Sequence, residues 1–419
     1  MVINTISQTK IPSDLRRVHR SLVMRRLFAS ENVSRAALAE ESNLSAMAIT
    51  RIVRELLEVG LIEEVGKRDR KGAPGRRRTN LRINSSGSFV VGLVISAFGH
   101  EVALMDANGM PLLSRRISFD NILNAEQTIN SASDVIIELI SQAHVDTDRI
   151  LGIGIAIAGF VQSSTGNLLR APYLGWHEIA LGRHISARTG LPVIAENIAD
   201  AINLAEQATA AHDINGDLFL VHASVTCGGS FTHQGSLVRG ANHSAGYIGH
   251  LPAGPSQLIC SCGASDCLNA HASGWSVLAN LALLDSNTFR TDRIEIYADT
   301  LTSLLAEDPD ITTPEGKELH KAGMHLGRGL RNVALIIDPE AIVLAGKMAN
   351  STAYVAGCRS AWHETSARQL QKIPELIIGG TASLTAAGFL ALDKFLLSPG
   401  LNIDALHSPD SIINEVQIT

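Results

Sequence analysis

The sequence predicts an α/β protein with an N-terminal winged helix-turn-helix domain followed by a two-lobed body. Two closely spaced, capped helices precede two short β-like runs near the start of the chain. From Phe89 onward strands and helices alternate, and a second β-rich start over residues 216–240 repeats the pattern. Because two similar α/β lobes would face each other, we expect a cleft between them.

Length and composition allow several soluble domains. The chain has 419 residues, 45% of them hydrophobic, and 35 glycines, which suits two or three domains. Its N-terminus is polar and basic, and its longest apolar run, residues 150–161, is short, which argues against a signal peptide and a spanning helix. Five cysteines without a secretion signal fit a reducing cytoplasm better than a disulfide framework. We therefore expect a cytoplasmic protein with no membrane partner.

The net charge of −6 hides a marked asymmetry along the chain. Residues 1–85 hold 17 Lys and Arg against 9 Asp and Glu, a charge of +8, which leaves −14 for the other 334 residues. A basic head on an acidic body suggests that the head binds a polyanion, and nucleic acid is the commonest one.

Three helices are predicted in the basic head. An amphipathic stretch over residues 14–28 places Leu15, Val18, Leu22 and Val23 on one face. Downstream, one serine precedes "RAALAEES" and another precedes "AMAITRIVRELLEVG", and each hydroxyl can accept a backbone N–H at a helix start. The tight "SNL" connection between these two helices is typical of a helix-turn-helix.

The second helix of this pair is the predicted reader of the major groove, and the segment after it is the predicted wing. "LIEEVGKRDRKGAPGRRRTNLRIN" reads as two short strands around a basic loop. The loop arginines would bind phosphates or enter a minor groove. The predicted DNA-binding residues are Ser45, Met47, Ala48, Thr50, Arg51 and Arg54 on the helix, with Arg76, Arg77 and Arg78 in the wing. An ordinary three-helix packing unit with a solvated charge run is the alternative.

A cluster of cysteines lies far from the head, in "ICSCGASDC". Cys260, Cys262 and Cys267, with His250 upstream, offer the thiolates and imidazole that tetrahedral zinc prefers. The alternative is a set of buried, inert cysteines. Cys227 and Cys358 are interpreted as packing residues.

These motifs together resemble the ROK family (repressors, open reading frames and kinases). The head resembles the N-terminal domain of the family's regulators over residues 13–84, and the body resembles the family from about 88 to 396, through "GIGIAIAGFV", "APYLGW", "GLPVIAEN", "RGANHSAGYIGH" and "NVALIIDPEAIVLAG". The resemblance implies the actin-like (ribonuclease H-like) fold of ROK sugar kinases. It also implies a structural zinc, because the family's Gly-His and Cys-x-Cys-Gly-x-x-x-Cys pattern falls on His250, Cys260, Cys262 and Cys267.

The resemblance also shows which kinase parts are altered. The catalytic Asp of the family's Asn-Asp pair corresponds to Ile198, which cannot accept a proton. We expect the nearby carboxylates Glu196 and Asp200 to point elsewhere, Asp200 because two positions along a helix turn a side chain to nearly the opposite face. The first phosphate loop corresponds to residues 94–98, without its Asp and glycines, and the second has become "SVTCGGS". An inactive kinase domain is predicted.

The residues that hold sugar in relatives correspond here to Asn197, Ile198, Tyr247, His250 and Asn269. Asn197, Tyr247, His250 and Asn269 are therefore the predicted effector-binding residues. Three carboxylates of the family pattern are lost, so the pocket should be more neutral and apolar. A different sugar, a sugar derivative or no ligand remain open.

The prediction is a regulator, most simply a repressor of carbohydrate genes, whose inactive kinase body senses a carbohydrate effector. Expected partners are a palindromic double-stranded DNA operator and a second copy of the chain, as a homodimer or homotetramer. An active ROK sugar kinase with a DNA-binding head and a ligand-independent DNA-binding protein are the alternatives. The predicted divisions are residues 1–85 for the head, 86–210 for lobe 1, 211–398 for lobe 2 with a zinc subdomain at about 247–270 and a C-terminal helix returning to lobe 1, and 399–419 for a tail.

Overall fold

The N-terminal head consists of three helices and a small antiparallel sheet, in a computed structural model that describes residues 12–30, 32–66, 79–118, 122–208, 216–366 and 370–406. Its elements are α1 (Pro12–Ala29), β1 (Val33–Ser34), α2 (Arg35–Ser42), α3 (Ala46–Glu58), β2 (Ile62–Val65) and β3 (Asn80–Ile83). Strand β3 pairs antiparallel with both β1 and β2. The predicted helix pair and the two wing strands are confirmed, whereas the wing tip, residues 67–78, lies outside the described residues.

Local capping explains where the two short helices begin. The Ser34 hydroxyl accepts the Ala37 N–H and the Ser45 hydroxyl accepts the Ala48 N–H, each at 3.2 Å. Between the helices Asn43 adopts a left-handed conformation (φ 55°), a geometry that asparagine tolerates better than most residues. The sequence-based expectation for this connection is confirmed.

The expected apolar face of α1 is wrong in part. Leu15 and Leu22 are 42% and 43% exposed, and the buried side of the helix instead holds Val23, Met24 and Leu27 together with polar Arg20 and Ser21. The reason is that α1 packs on the C-terminal end of the body as well as on the head. Polar groups of the helix therefore find partners that local periodicity does not reveal.

The first lobe is built on a five-stranded sheet of order β11-β7-β4-β5-β6. Its elements are β4 (Phe89–Ser96), β5 (Gly99–Asp106), β6 (Pro111–Ile117), α4 (Ala125–Gln142), β7 (Ile150–Ile157), β8 (Phe160–Gln162), β9 (Asn167–Ala171), β10 (Trp176–Ile179), α5 (Leu181–Thr189), β11 (Val193–Asn197) and α6 (Ile198–Ala208). Strands β4 to β6 form an antiparallel meander, and β7 and β11 add in parallel. Strands β8 to β10 form a separate small sheet.

The second lobe repeats this topology, with a sheet of order β14-β13-β12-β15-β16. Its elements are β12 (Leu218–Ala223), β13 (Cys227–His233), β14 (Ser236–Leu237), α7 (Asn269–Ala272), α8 (Gly274–Asn280), α9 (Ile294–Ala306), α10 (Pro314–Ile337), β15 (Ala341–Ala345), α11 (Thr352–Ser366), β16 (Glu375–Ile378) and α12 (Ser383–Ala391). Again an antiparallel meander is extended by two parallel strands. The predicted repeat is confirmed.

Helix α12 returns from the second lobe and packs on β4 and β7 of the first sheet. Glycines on these strands make the close approach possible. A Cβ at Gly92 would lie 2.8 Å from the Gly388 nitrogen, and one at Gly154 would lie 2.0 Å from the Ala387 oxygen. After α12 the chain forms a π-helical turn over Leu392–Leu396 and then contacts α1 of the head. In the part of the chain that the structure describes, no helix is long and apolar enough to span a membrane.

Candidate DNA interface and interlobe ligand site

Helix α3 separates a buried face from an exposed face. Ile49, Ile52, Val53 and Leu56 are buried in the head. The predicted reading residues lie on the other side: Ser45, Met47, Thr50, Arg51 and Arg54 are exposed and Ala48 is partly exposed. Met47, an apolar side chain, is 84% exposed at the start of the helix. Such a face leaves the side chains free to contact base edges in a major groove.

Arginines concentrate on one side of the head. Arg16, Arg17 and Arg20 of α1 line a groove together with Arg51 and Arg54 of α3, and the opposite wall is the C-terminal segment 400–404. Two of the five are engaged internally, since Arg16 and Arg20 both bind the buried Glu55 carboxylate at 2.6 Å. Arg54 is paired with Glu58 at 3.5 Å, and Arg17 and Arg51 add positive charge beside the reading helix. The predicted wing contacts Arg76, Arg77 and Arg78 lie outside the described residues.

A cavity lies between the two lobes. Its walls come from the ends of β4, β7 and β11 and the start of α6 in lobe 1, and from β12, β13 and the loop before His250 in lobe 2. Four aromatic side chains line it: Phe98, Phe160, Tyr173 and Tyr247. The predicted effector residues Asn197 and Tyr247 both line it.

Two glycines position the loop that carries Tyr247 and His250. A Cβ at Gly246 would lie 2.1 Å from the Gly229 oxygen, and one at Gly249 would lie 2.3 Å from the Cys227 oxygen. Only glycine allows the loop to lie this close to β13. The Tyr247 ring then stands 4.4 Å from the His250 ring and 5.1 Å from the Phe160 ring, between centroids.

His250 and the three clustered cysteines form a compact set of metal ligands. Their ligand atoms all lie within 4.8 Å of one another. The His250 Nδ1 is 3.6 Å from the sulfurs of Cys260 and Cys267, and the Cys262 and Cys267 sulfurs are 3.4 Å apart. Tetrahedral zinc with Zn–S of about 2.3 Å and Zn–N of about 2.0 Å requires ligand separations of about 3.5–3.8 Å. The residues therefore fit such an ion.

The electrostatics of this cluster favour a cation. Burial, followed by the neighbouring Cys262 and Cys260 thiols, raises the pKa of the Cys267 thiol, so a thiolate here needs a positive charge beside it. The other nitrogen of the His250 ring, Nε2, is buried and has no hydrogen-bond partner among the described residues. A metal on Nδ1 would fix the proton on Nε2 and make it a donor.

Two of the predicted effector residues already hold the protein's own backbone. Asn197 donates to the Gly159 oxygen and accepts the Ala199 N–H, both at 2.8 Å, which caps α6 at the cavity. Asn269 is 2% exposed and accepts the Cys227 N–H at 2.7 Å. Neither Asn269 nor His250 is among the described residues that line the cavity. The contact of these two residues with a ligand stays a prediction.

The expectation that Asp200 turns away from the site is wrong. Ile198, Ala199 and Asp200 all line the cavity, because α6 begins at Ile198 and its first turn forms part of the wall. The Ser230 hydroxyl of β13 donates to the Asp200 carboxylate at 2.6 Å. Burial raises the pKa of Asp200 to about 7, and the Glu196 charge adds to the rise, against the Ser230 hydrogen bond and the Arg239 charge.

Glu196, by contrast, is occupied elsewhere. Its buried carboxylate binds Arg239 at 2.6 Å, and Arg239 also donates to the Ser163 hydroxyl at 3.0 Å. This ion pair joins β11 of lobe 1 to the loop after β14 in lobe 2. The expectation that Glu196 points away from a catalytic position agrees with this pairing.

Two histidines of the cavity carry no signal in the sequence analysis. Burial lowers the pKa of His222 to about 4, so this ring is neutral near pH 7. His243 also lines the cavity, and its buried Nδ1 has no hydrogen-bond partner within the described ranges. The position of His243 in "RGANHSAGYIGH", between Gly240 and Gly246, which both have positive φ, is the one feature that could have drawn attention to it.

The two segments that correspond to phosphate loops have backbone amides bonded within the protein. The Phe98 N–H binds the Ser96 hydroxyl at 3.2 Å. In the second segment, the Cys227 N–H donates to the Asn269 side chain, and the Gly229 N–H donates to the Gly246 oxygen at 2.7 Å. Phosphate cradles need such amides free to point at the ligand.

The head has the winged helix-turn-helix arrangement of DNA-binding domains. The body has two lobes with the same five-stranded sheet, which is the actin-like fold. The chain belongs to the ROK family, whose model matches residues 91–390.

Similarity to known proteins covers both parts of the chain. The xylose repressor of Bacillus subtilis (strain 168) is 25% identical over 388 residues, which are 91% of this chain and 97% of that protein. The structure of a ROK family transcriptional regulator, a homolog of the Escherichia coli MLC protein, superposes with a TM-score of 0.74 at 22% identity, covering 94% of this chain and 99% of that one. A ROK family glucokinase from Streptomyces griseus, in complex with glucose and AMPPNP, gives a TM-score of 0.58 at 24% identity, with 73% and 100% covered. The predicted fold class is confirmed.

Proposed function

We propose that this protein is a DNA-binding transcriptional regulator, a repressor of carbohydrate-metabolism genes whose body senses a sugar or sugar derivative. The observation that carries the proposal is the exposed face of α3, with Met47, Thr50 and Arg51, on a head attached to a ROK body. The similarity to a xylose repressor along nearly its whole length supports it. The effector would bind in the interlobe cavity, which Asn197 and Tyr247 line, with His250 and Asn269 as further predicted contacts.

The body acts as a sensor rather than as a kinase. Ile198 occupies the position of the family's proton acceptor, and the amides of Phe98, Cys227 and Gly229 are already bonded within the chain. Transfer of a phosphoryl group needs both an acceptor for the hydroxyl proton and a cradle for the phosphates. Zinc on His250, Cys260, Cys262 and Cys267 would be structural, because all four positions of a tetrahedron are filled by the protein.

An active sugar kinase is the second candidate, and Asp200 favours it. This carboxyl lines the cavity, and its pKa of about 7 suits a general base. A coupled ATP assay with a panel of hexoses tests this candidate, with Asp200→Asn as the variant. Sugar-dependent ATP consumption that this substitution abolishes would overturn the sensor proposal.

On DNA, the protein would act in the cytoplasm as a homodimer or homotetramer on a palindromic operator, because two heads related by a twofold axis match two half-sites. Binding measurements test the reading helix. A duplex selected by the full-length protein from a random library serves as the operator, and a scrambled duplex is the reference. We expect Arg51→Ala to weaken operator binding by about 1–3 kcal/mol, roughly 5- to 150-fold, and to leave the scrambled duplex little affected.

Two further variants make this test specific. Arg77→Ala should weaken both duplexes alike and reduce the salt slope by about 1, as expected for a phosphate contact. Arg183→Ala removes the same charge from an exposed site on α5 and should change neither. Equal effects of Arg51→Ala and Arg183→Ala would refute the assignment of α3 as the reading helix.

A further inference from the structure

The interlobe cavity combines aromatic walls with a small set of polar groups, and their chemistry limits the ligand. Asp200 is the one carboxylate that lines it, and neither Lys nor Arg does so among the described residues. The cations near the cavity stay outside its lining. Burial raises the pKa of Tyr247 and the charge of the exposed Arg170 opposes this rise, so Arg170 is one of them. Arg239 is bound to Glu196, and the exposed Lys347 amine sits 5.6 Å from the centre of the Phe98 ring.

Several backbone amides at the cavity are already bonded within the protein. The N-terminus of α6 points at the cavity, but Asn197 already accepts the Ala199 N–H, and Asp200 places its own acid in the first turn. The amides of Phe98, Cys227 and Gly229 are bonded within the chain. A phosphate would therefore meet a carboxyl group and satisfied amides, with no arginine or lysine in the lining to offset its charge.

The remaining polar groups suit hydroxyls. The Asp200 carboxyl accepts hydrogen bonds and is held in place by Ser230, which in turn accepts from Asn203 at 3.1 Å. The buried Nδ1 of His243, which lines the cavity, has no partner in the described structure. A sugar hydroxyl can donate to the carboxylate and accept from an imidazole, while the apolar face of the ring packs on Phe160 or Tyr247.

We infer that the effector is an unphosphorylated, uncharged sugar, and that Asp200 is the residue that selects it by accepting its hydroxyl hydrogens. This inference rests on the proposed sensing function and specifies its ligand. Asp200 lies two positions after Ile198, which occupies the place of the family's Asp. Its carboxylate would bind the sugar hydroxyls that, in the family pattern, are bound by acidic residues that this chain lacks. Discrimination against phosphorylated sugars follows because a buried carboxyl repels a dianion.

The test uses the full-length protein and matched pairs of ligands at pH 8, measured by calorimetry and by thermal unfolding. Xylose, glucose and N-acetylglucosamine are compared, the two hexoses each with its 6-phosphate. We expect at least one free sugar to bind and raise the melting temperature, and its 6-phosphate to bind at least about tenfold more weakly or not at all. Asp200→Asn should weaken the free sugar by about tenfold or more, whereas Asp285→Asn, at an exposed site outside the cavity, should not.

The outcomes separate this inference from the proposed function. A 6-phosphate that binds as tightly as its parent sugar, or an unchanged affinity of Asp200→Asn, overturns the inference but leaves a sugar-sensing regulator in place. If neither form of any sugar binds while the operator is still bound, sensing itself is refuted and a ligand-independent DNA-binding protein remains. The comparison of sugars on the unmodified protein stands even if Asp200→Asn folds poorly.

Discussion

The Asp200 carboxyl links the ligand cavity to the stability of the fold. Its pKa is about 7 in the folded protein because it is buried, whereas the same group in an unfolded chain has a pKa near 3.8. Between about pH 4 and pH 7 the folded protein therefore holds a proton that the unfolded chain has released. The free energy of unfolding falls as the pH rises through this window and stays level above it. The charge of Glu196, like burial, raises the pKa of Asp200, whereas the Arg239 charge and the Ser230 hydrogen bond lower it.

Asp200→Asn should remove this penalty, because the amide is nearly isosteric and its oxygen can still accept from Ser230. We expect the variant to be more stable than the parent at pH 8, by an amount on the order of a few kcal/mol at most, and to lose most of this advantage at pH 4.5. Urea unfolding at several pH values measures the difference. Asp285→Asn, on an exposed aspartate, is the control. Stability curves that run parallel between pH 4.5 and 8 would contradict the pKa assigned to Asp200.

Residue-level prediction from the sequence succeeds where a pattern is local. Ser34 and Ser45 were identifiable as caps because each precedes an apolar-periodic run, and the spacing of the cysteines with His250 indicated one metal site. The orientation of Asp200 was predicted wrongly. Helical periodicity tells which side of a helix a residue faces, but a cavity at the end of the helix can contact every residue of the first turn. The bond of Asn269 to the Cys227 amide joins positions 42 apart, and no local pattern indicates such a contact.

At the scale of elements, the segment that joins β14 to α7 has little regular structure of its own. Its ordered features are one short 3-10 turn at Ile248–His250 and two isolated bridges, Pro252 with Cys267 and Ile259 with Thr288. Its fold depends on burying Leu258, Cys260 and Cys267. A metal ion at the cysteine cluster would supply the cross-link that a small core cannot.

We expect the purified protein to hold about one zinc per chain, and Cys262→Ser to lose it and to melt at least about 5 °C lower. Elemental analysis and thermal unfolding measure the two effects. Ser265→Ala lies in the same loop, is exposed and should change neither value. A strong chelator should lower the melting temperature of the parent protein toward that of Cys262→Ser. A parent protein without bound metal, or indifferent to the chelator, would mean that the cysteine cluster is not a metal site.

At the scale of the whole molecule, the ligand cavity and the head are connected through two helices. The first turn of α6 lines the cavity, and near its other end Glu206 accepts the Thr381 N–H just before α12, at 2.7 Å. α12 also packs on α6 and on the first sheet, so it moves together with lobe 1. The segment after it holds α1, because Ser21 donates to the Leu397 oxygen at 2.6 Å and Arg25 binds Asp393 at 2.7 Å.

The last link reaches the reading helix. Arg20 of α1 donates to the Leu401 oxygen at 2.9 Å and to the Glu55 carboxylate of α3 at 2.6 Å. Arg20 and Leu401 are 381 positions apart in the chain, which explains why the sequence predicted the head and the body but not their attachment. A rotation of lobe 1 against lobe 2 would carry α12 and, through the segment after it, α1. Helix α3 packs on α1 and would move with it.

The double variant Ser21→Ala/Asp393→Ala should therefore separate sensing from DNA binding. It removes two contacts between α1 and the body but leaves Arg20 on Glu55, so the head should fold and bind the operator. We expect the free sugar to bind the variant as tightly as the parent protein, but to change operator affinity by less than about threefold, where an intact coupling is typically about 5- to 150-fold. Fluorescence anisotropy of a labelled operator, with and without the sugar, measures this ratio. Arg82→Ala, which breaks an ion pair with Glu63 inside the wing sheet, is the matched control and should keep the full ratio. An unchanged ratio in the double variant would mean that the signal reaches the head by a route other than α12 and α1.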